Sequence, residues 1–108
     1  MAEYLQIITT TEKRAESEMI ARVLVEGGLA ACVQIVGPVT STYSWKGRIE
    51  TAEEWQCLIK TRADLFGEVE RSIKSVHSYE TPEIIALPIR AGSREYLDWM
   101  EEALPPEI

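Results

Sequence analysis

The segment from Leu29 to Thr61 constrains the fold most, because it holds two long strand-like patterns that meet at one tight turn. An apolar run from Leu29 to Val36 is followed, after Gly37-Pro38, by apolar and aromatic residues that alternate with polar ones or threonine. Lys46-Gly47 is the tight-turn candidate, and a second strand pattern runs back from Ile49 to Thr61. Such a hairpin should extend beyond its own domain, so its apolar face predicts cover from another subunit.

A strand and a helix are predicted before this hairpin. The residues from Tyr4 to Thr10 are apolar and β-branched, which is typical of a strand. Apolar side chains then recur at helical spacing and predict one buried helix face, which is formed by Ala15, Met19, Ile20, Val23 and Leu24. Gly27 and Gly28 are predicted to end the helix, because glycine readily adopts the left-handed conformation of a helix C-cap.

A second helix is predicted directly after the hairpin. The sequence Thr61-Arg62-Ala63-Asp64 is similar to a capping box, with aspartate in place of the usual glutamate, and marks the predicted start. The apolar face of this helix is formed by Leu65, Phe66, Val69, Ile73 and Val76. We expect the helix to end near His77.

A last strand and a short terminal helix complete the chain. Pro82 introduces the strand, which is predicted over Glu83–Ile89, and Pro88 places its end at a sheet edge or a bulge. Ser93 is the predicted N-cap of the terminal helix, which Pro105-Pro106 stops. The order is therefore β-α-β-β-α-β plus a helix. It predicts one domain over residues 1–108 of the α+β class, with a ferredoxin-like antiparallel sheet that carries two helices on one face.

Composition argues against nucleic acid and membranes as partners. The 11 basic and 18 acidic side chains give a formal net charge of −7, and the basic residues are scattered singly. Cys32 and Cys57 lie in apolar runs outside any CxxC pair, which predicts reduced thiols in a cytosolic protein. The apolar runs are too short to span a bilayer and the N-terminus lacks signal-peptide features, so we expect a cytoplasmic protein.

Other functions of this topology lack their defining residues. An acylphosphatase needs an arginine-bearing phosphate loop after the first strand, where this chain has Thr9-Thr10-Thr11-Glu12. A metallochaperone needs a CxxC loop, and an RNA-binding module needs exposed aromatic residues with positive charge. No serine or cysteine forms a recognisable nucleophile motif with His77, so the sequence does not predict an enzyme.

Several stretches resemble the signature of a known family. They are Leu29-Ala30-Ala31-Cys32-Val33, the run from Ser41 to Gly47, Ile59-Lys60-Thr61, the run from His77 to Ile85, and Tyr96-Leu97-Asp98-Trp99. Together they are similar to the CutA divalent-ion tolerance family over nearly the whole chain. The resemblance implies a cytoplasmic homotrimer of PII-like architecture. It also implies a link to tolerance of copper and other divalent ions.

The resemblance further implies a ligand site between subunits, near the end of the second helix. The candidate ligands of a non-structural copper or zinc ion are His77, Cys32, Glu80 and Glu83. The candidate residues that line the cleft are Trp45, Glu54, Lys60 and Tyr79. A long strand from the adjacent subunit is expected to supply the first three of these. Some family members carry a cysteine and a histidine where this chain has Thr9 and Val76, which predicts modest metal affinity.

Each candidate also has a structural interpretation that the sequence leaves open. His77, the only histidine, can satisfy the last carbonyls of a helix. Cys32 and Trp45 can be packing residues. Glu54 and Lys60 can form an exposed ion pair worth under ~1 kcal/mol. A lysine in the cleft would oppose a cation and favour an anionic ligand, as expected for a PII-like signalling trimer.

Overall fold

A computed structural model describes residues 3–107 as a four-stranded antiparallel sheet with helices. The elements are β1 (Tyr4–Thr11), α1 (Arg14–Glu26), β2 (Cys32–Trp45), β3 (Arg48–Arg62), α2 (Phe66–Val76), β4 (Ile85–Ile89) and α3 (Arg94–Ala103), with a 3₁₀ turn (Ala63–Leu65) before α2. The strand order is β2-β3-β1-β4, and all neighbours are antiparallel. This confirms the predicted α+β, ferredoxin-like fold with its extra terminal helix. β4 is an edge strand, as Pro88 predicted.

The two faces of the sheet have different cover. α1 and α2 pack on one face, where the core is formed by Ile7, Ile20, Leu24, Ala30, Cys57, Ile59, Val69 and Ile73. Because side chains alternate along a strand, the even-numbered residues of β1 point to the opposite face. On that face Tyr4 packs near α3 at one end of the strand, through a cluster with Met100 and Leu104. Thr10 lies at the other end of β1 on the same face.

The β2–β3 hairpin extends beyond the core, as predicted. Lys46 and Gly47 turn it with φ angles of 50° and 78°, the left-handed pair that a two-residue hairpin turn requires. Between Val36 and Val39 the register shifts by a bulge, and the Gly37-Pro38 peptide is cis. The outer hairpin lies exposed, and Ile49 keeps 77% of its surface accessible.

The buried face of α1 differs from the predicted one. Its buried residues are Ser17, Ile20 and Leu24, whereas Met19 and Val23 are 50% and 39% exposed. Ser17 can be buried because its hydroxyl shares a hydrogen bond of 2.6 Å with that of Thr11. A satisfied polar residue therefore occupies a position that an apolar pattern assigns to the surface.

The predicted capping box is wrong. β3 continues to Arg62, and no side chain caps either the 3₁₀ turn or α2. Thr61 instead donates its hydroxyl to the carbonyl of Leu29 at 2.6 Å, and Asp64 accepts a hydrogen bond from Arg62 at 2.6 Å. Ser93 is the N-cap of α3 as predicted, since its hydroxyl accepts from the N–H of Tyr96.

Candidate functional site

An open cleft of about 710 Å³ lies on the sheet face that α1 and α2 leave uncovered. Four glutamates line it, and they are Glu50, Glu54, Glu80 and Glu83. Three aromatic residues line it as well, and they are Tyr43, Trp45 and Tyr79. The other lining residues that the structure describes are serine or threonine, so the lining contains no lysine, arginine or histidine.

Strand pairing places one wall of the cleft. Glu54 lies opposite Val39, and Glu50 lies opposite Tyr43, in the antiparallel ladder between β2 and β3. Directly paired residues point to the same face, and residues two apart along a strand share a face. The carboxylates of β3 and the aromatic rings of Tyr43 and Trp45 therefore lie on the same side of the hairpin. The loop between α2 and β4 supplies the opposite wall.

Glu54 and Tyr79 connect the two walls. The hydroxyl of Tyr79 donates to Oε2 of Glu54 at 2.7 Å. Glu54 is only 6% exposed, and it forms no salt bridge with a described lysine or arginine. Desolvation, and then the hydrogen bond to Glu54, raise the pKa of Tyr79 well above its usual value, so the phenol stays protonated as the donor.

Glu83 lies close enough to Glu54 for their charges to interact. Desolvation is the larger cause that raises the pKa of Glu83, and the negative charge of Glu54 raises it further. Glu54 is buried and Glu83 is exposed. Two carboxylates that repel one another favour a positive ligand between them, because such a ligand removes the repulsion.

His77 lies beneath the cleft and holds the loop in place. Its Nδ1 accepts the N–H of Tyr79 at 3.0 Å, so the ring proton is on Nε2, which donates to the carbonyl of Thr10 at 2.8 Å. The side chain of His77 is fully buried. Both ring nitrogens of His77 therefore form hydrogen bonds within the chain. Glu16 holds the next residue in place, since its carboxylate accepts hydrogen bonds from the N–H and the hydroxyl of Ser78 at 2.6 and 3.0 Å.

Cys32 and Lys60 lie away from the cleft. They are paired across β2 and β3, four residues along β3 from Gln56, which pairs with Thr10. Four residues of a strand span ~13 Å. Nζ of Lys60 donates to the side-chain oxygen of Gln34 at 2.6 Å. The thiol of Cys32 and the ammonium group of Lys60 therefore do not join the carboxylates at this end of the sheet.

The structure brings together only part of each predicted set. Glu80 and Glu83 line the cleft, whereas the ring of His77 lies below it and Cys32 lies elsewhere. Trp45, Glu54 and Tyr79 line the cleft, whereas Lys60 does not. Within residues 3–107, no group of three or more histidine, cysteine, aspartate or glutamate side chains is arranged to hold a metal ion.

Part of the predicted cleft already forms within one chain. Glu54 bonds to Tyr79, and Trp45 lines the same cleft, while the contribution expected from a neighbouring subunit stays a prediction. The sequence analysis missed Tyr43 and Glu50 as lining residues. Alternation along the strands could have found them, because each lies two or four residues from a predicted lining residue. No local signal could have found Glu16, which contacts a loop 62 residues away.

Comparison with known proteins identifies the family. The profile of the family described as CutA1 divalent ion tolerance protein matches residues 5–103. This chain belongs to the CutA1 family. A protein of Archaeoglobus fulgidus named divalent-cation tolerance protein CutA is 45% identical over 98 residues, which cover 91% of this chain and 95% of that protein.

Solved structures support the same assignment. The divalent cation tolerance protein Cut A1 of Thermus thermophilus superposes with a TM-score of 0.91 at 40% identity, over 94% of this chain and 99% of that one. The structure named periplasmic divalent cation tolerance protein CutA, from Archaeoglobus fulgidus, has a TM-score of 0.88 at 44% identity, over 95% of this chain and 98% of that one.

Relatives are named for more than one compartment. The Archaeoglobus fulgidus structure is named periplasmic, and a relative in Arabidopsis thaliana is named chloroplastic. The latter is 36% identical over 90% of this chain and 53% of its own length. Among the described residues, no helix has the length and apolar character needed to cross a membrane. Because relatives are named for different compartments, family membership does not test the cytoplasmic location, which stays a prediction.

Proposed function

We propose that this CutA1 family member is a homotrimeric cation-tolerance protein of the cytoplasm, without enzymatic activity, that binds divalent cations in the acidic cleft. The observation that carries the proposal is the charge of the lining, where four glutamates and no basic residue are found among the described lining residues. The relatives named for divalent-cation tolerance support the same class of ligand.

Glu54 and Glu83 are the proposed ligands, and Glu80 lines the same cleft. Carboxylate oxygen can coordinate copper(II) and zinc, but both ions also bind nitrogen or sulfur ligands well. Because this site offers only oxygen ligands, we expect modest affinity. His77 can join only if its Nδ1 releases the N–H of Tyr79. Cys32 is not part of the proposed site, because it lies four residues farther along the sheet.

An anionic ligand, as in a PII-like signalling protein, fits the cleft less well. That alternative depended on a lysine among the carboxylates. Lys60 is engaged with Gln34 instead, and the cleft lining that the structure describes offers no other positive charge. Four glutamates would repel an anion unless a cation bound with it.

Calorimetric titration of the metal-free protein with copper(II) and with zinc tests the site. We expect Glu54→Gln and Glu83→Gln each to weaken binding about tenfold, which corresponds to ~1.4 kcal/mol. Glu53→Gln is the matched control, since Glu53 precedes Glu54 on β3 but points to the opposite face and is exposed. Equal losses in Glu53→Gln and Glu54→Gln would attribute the effect to net charge and refute the site.

The proposed trimer rests on apolar surface that one chain leaves exposed. Ile85 and Leu87 on β4 and Val36 on β2 are exposed on the uncovered face, and Ile49 is exposed on the hairpin. Light scattering should return three times the chain mass at low micromolar concentration. Ile49→Lys should weaken this assembly if the hairpin contacts another copy, whereas Val25→Lys on the exposed side of α1 should not. A monomer mass for the unmodified protein would contradict the proposal.

A further inference from the structure

One buried hydroxyl in the core has no hydrogen-bond partner within the chain. Among the side chains that the structure describes, Thr9 Oγ1 is the one buried nitrogen or oxygen atom that no other group of the protein satisfies. Thr9 lies on β1 and is 0% exposed. The large majority of buried polar side-chain atoms bond to protein or to ordered water, because an unpaired one is costly to bury. The unpaired hydroxyl of Thr9 therefore points to a partner that is not part of the chain.

The other hydroxyl side chains that are equally buried in the described chain do have partners. Thr11 and Ser17 share a hydrogen bond of 2.6 Å between their hydroxyl groups. Thr61 donates its hydroxyl to the carbonyl of Leu29 at 2.6 Å. All three are 0% exposed, as Thr9 is. Full burial in this fold is therefore otherwise accompanied by a hydrogen bond, and Thr9 is the exception that needs an explanation.

Small side chains from three elements meet around Thr9. Thr9 lies directly opposite Cys57 in the ladder between β1 and β3, whereas the next pair on the same face is Ile7 with Ile59. Cys57 also contacts α1, because its Sγ lies 3.7 Å from the carbonyl oxygen of Ser17. Threonine, cysteine and serine occupy less volume than isoleucine, so this layer of the core holds less side-chain volume than the layer of Ile7 and Ile59. It also brings a hydroxyl, a thiol and a carbonyl oxygen together in a dry interior.

We propose that an ordered water molecule is bound inside the core at Thr9. It forms a hydrogen bond with Thr9 Oγ1, and its further bonds go to Sγ of Cys57 and the carbonyl oxygen of Ser17. A buried water typically makes about three hydrogen bonds, to polar groups that are otherwise unsatisfied. The water links β1, β3 and α1 on the sheet face that the helices cover. The inference is therefore independent of the cleft, of the proposed function and of the proposed trimer.

A crystal structure of the full chain, at a resolution that shows ordered water, tests the inference. We expect a water molecule at hydrogen-bond distance from Thr9 Oγ1, which is ~2.7–3.0 Å. The water should remain in Thr9→Ser, which keeps the hydroxyl, and be lost in Thr9→Val, which removes it. Thr61→Val is the matched control, because it removes an equally buried hydroxyl that is bonded within the chain, and it should keep the water at Thr9. If Thr9→Val does not fold, the unmodified protein and Thr9→Ser decide the test.

Thermal unfolding provides a second readout in solution. If water pairs with Thr9, Thr9→Val removes a hydrogen bond and should lower the unfolding midpoint by an amount within about twofold of the decrease in Thr61→Val. An unpaired hydroxyl would give the opposite sign. Valine has nearly the shape of threonine, so in that case the substitution would only remove a buried polar group that has no partner.

The outcomes decide between these two states of Thr9. A water bonded to Thr9 Oγ1, together with a lower midpoint for Thr9→Val, supports the inference. The absence of such a water in the unmodified protein, or a higher midpoint for Thr9→Val, overturns it. A water that persists in Thr9→Val is held by other groups, which overturns the assignment to Thr9. None of these results bears on metal binding, so the proposed function is tested separately.

Discussion

The hydroxyl of Tyr79 and the carboxylate of Glu54 are joined by a hydrogen bond of 2.7 Å. The bond connects the loop after α2 to β3, and these segments form the two walls of the cleft. Because Glu54 is almost fully buried, the tyrosine supplies part of the stabilisation that water would otherwise give the carboxylate. The cleft is therefore held in shape by one of its own potential ligands.

Removal of this hydroxyl should cost stability. We expect Tyr79→Phe to lower the free energy of unfolding by ~1.5–3 kcal/mol, the usual range for a hydrogen bond to a charged group. Urea unfolding measures the change. Tyr43→Phe is the matched control, since that ring lies in the same cleft but is 40% exposed, and it should change stability by less than ~0.5 kcal/mol. Similar losses in both variants would mean that the bond to Glu54 contributes nothing specific.

The two ring nitrogens of His77 should have separable roles. The amide of asparagine can replace Nδ1 as the acceptor for the N–H of Tyr79, whereas the amide of glutamine can replace Nε2 as the donor to Thr10. We expect each variant to lower stability by ~1–2 kcal/mol, because each leaves one buried group without its partner. Hydrogen exchange at the Tyr79 amide should stay slow in His77→Asn and become fast in His77→Gln. Equal exchange in the two variants would contradict the assigned tautomer.

The sequence predicted the sheet but not the contents of the site. Alternation along β3 separates Glu54 from Cys57 correctly, since one faces the cleft and the other the core. The same alternation puts Lys60 on the face of Glu54, yet six residues of strand separate them by ~20 Å. Two residues on the same face of a sheet therefore need not belong to the same site. Which of them line the cleft depends on the loop that crosses this face, and contacts between residues far apart in the sequence set the position of that loop.

The contacts that position this loop join distant segments. His77 reaches Thr10 across 67 residues, and Glu16 reaches Ser78 across 62. No local pattern predicts such pairs. The structure places His77 at the C-cap of α2, where the sequence predicted the end of the helix. The ring of His77 forms its hydrogen bonds with β1 and with the loop.

A buried arginine should anchor α3 to the sheet. Arg62 is 1% exposed and donates to Asp64 at 2.6 Å and to Glu101 of α3 at 3.0 Å, while Tyr4 donates to the second oxygen of Glu101. We expect Arg62→Ala to lower the free energy of unfolding by ~2 kcal/mol, because it removes hydrogen bonds to two carboxylates and the packing of a buried side chain. The control Arg22→Ala removes an exposed ion pair with Glu26 and should cost under ~0.5 kcal/mol. Comparable losses in urea unfolding would show that burial of Arg62 does not matter.

The titration of Glu83 should make stability depend on pH. Desolvation, and secondly the charge of Glu54, raise the pKa of Glu83, so the folded protein holds this proton more tightly than the unfolded chain does. The stabilisation that protonated Glu83 contributes is therefore fully present below the pKa of this group in the unfolded chain. It is lost as the pH rises through the higher pKa of the group in the folded protein. We expect Glu83→Gln to exceed the unmodified protein in stability at pH 7, with a difference that shrinks below about pH 4. A difference that does not change with pH would contradict this.

Anomalous diffraction from crystals soaked with copper(II) or zinc tests the central claim most directly, because it locates the ion. The account predicts an ion at ~2.0–2.2 Å from a carboxylate oxygen of Glu54 or Glu83, the usual distance for zinc. It also predicts that His77 keeps its bonds to Thr10 and Tyr79. An ion bound to Nδ1 of His77 or to the thiolate of Cys32, with none in the cleft, would contradict the account.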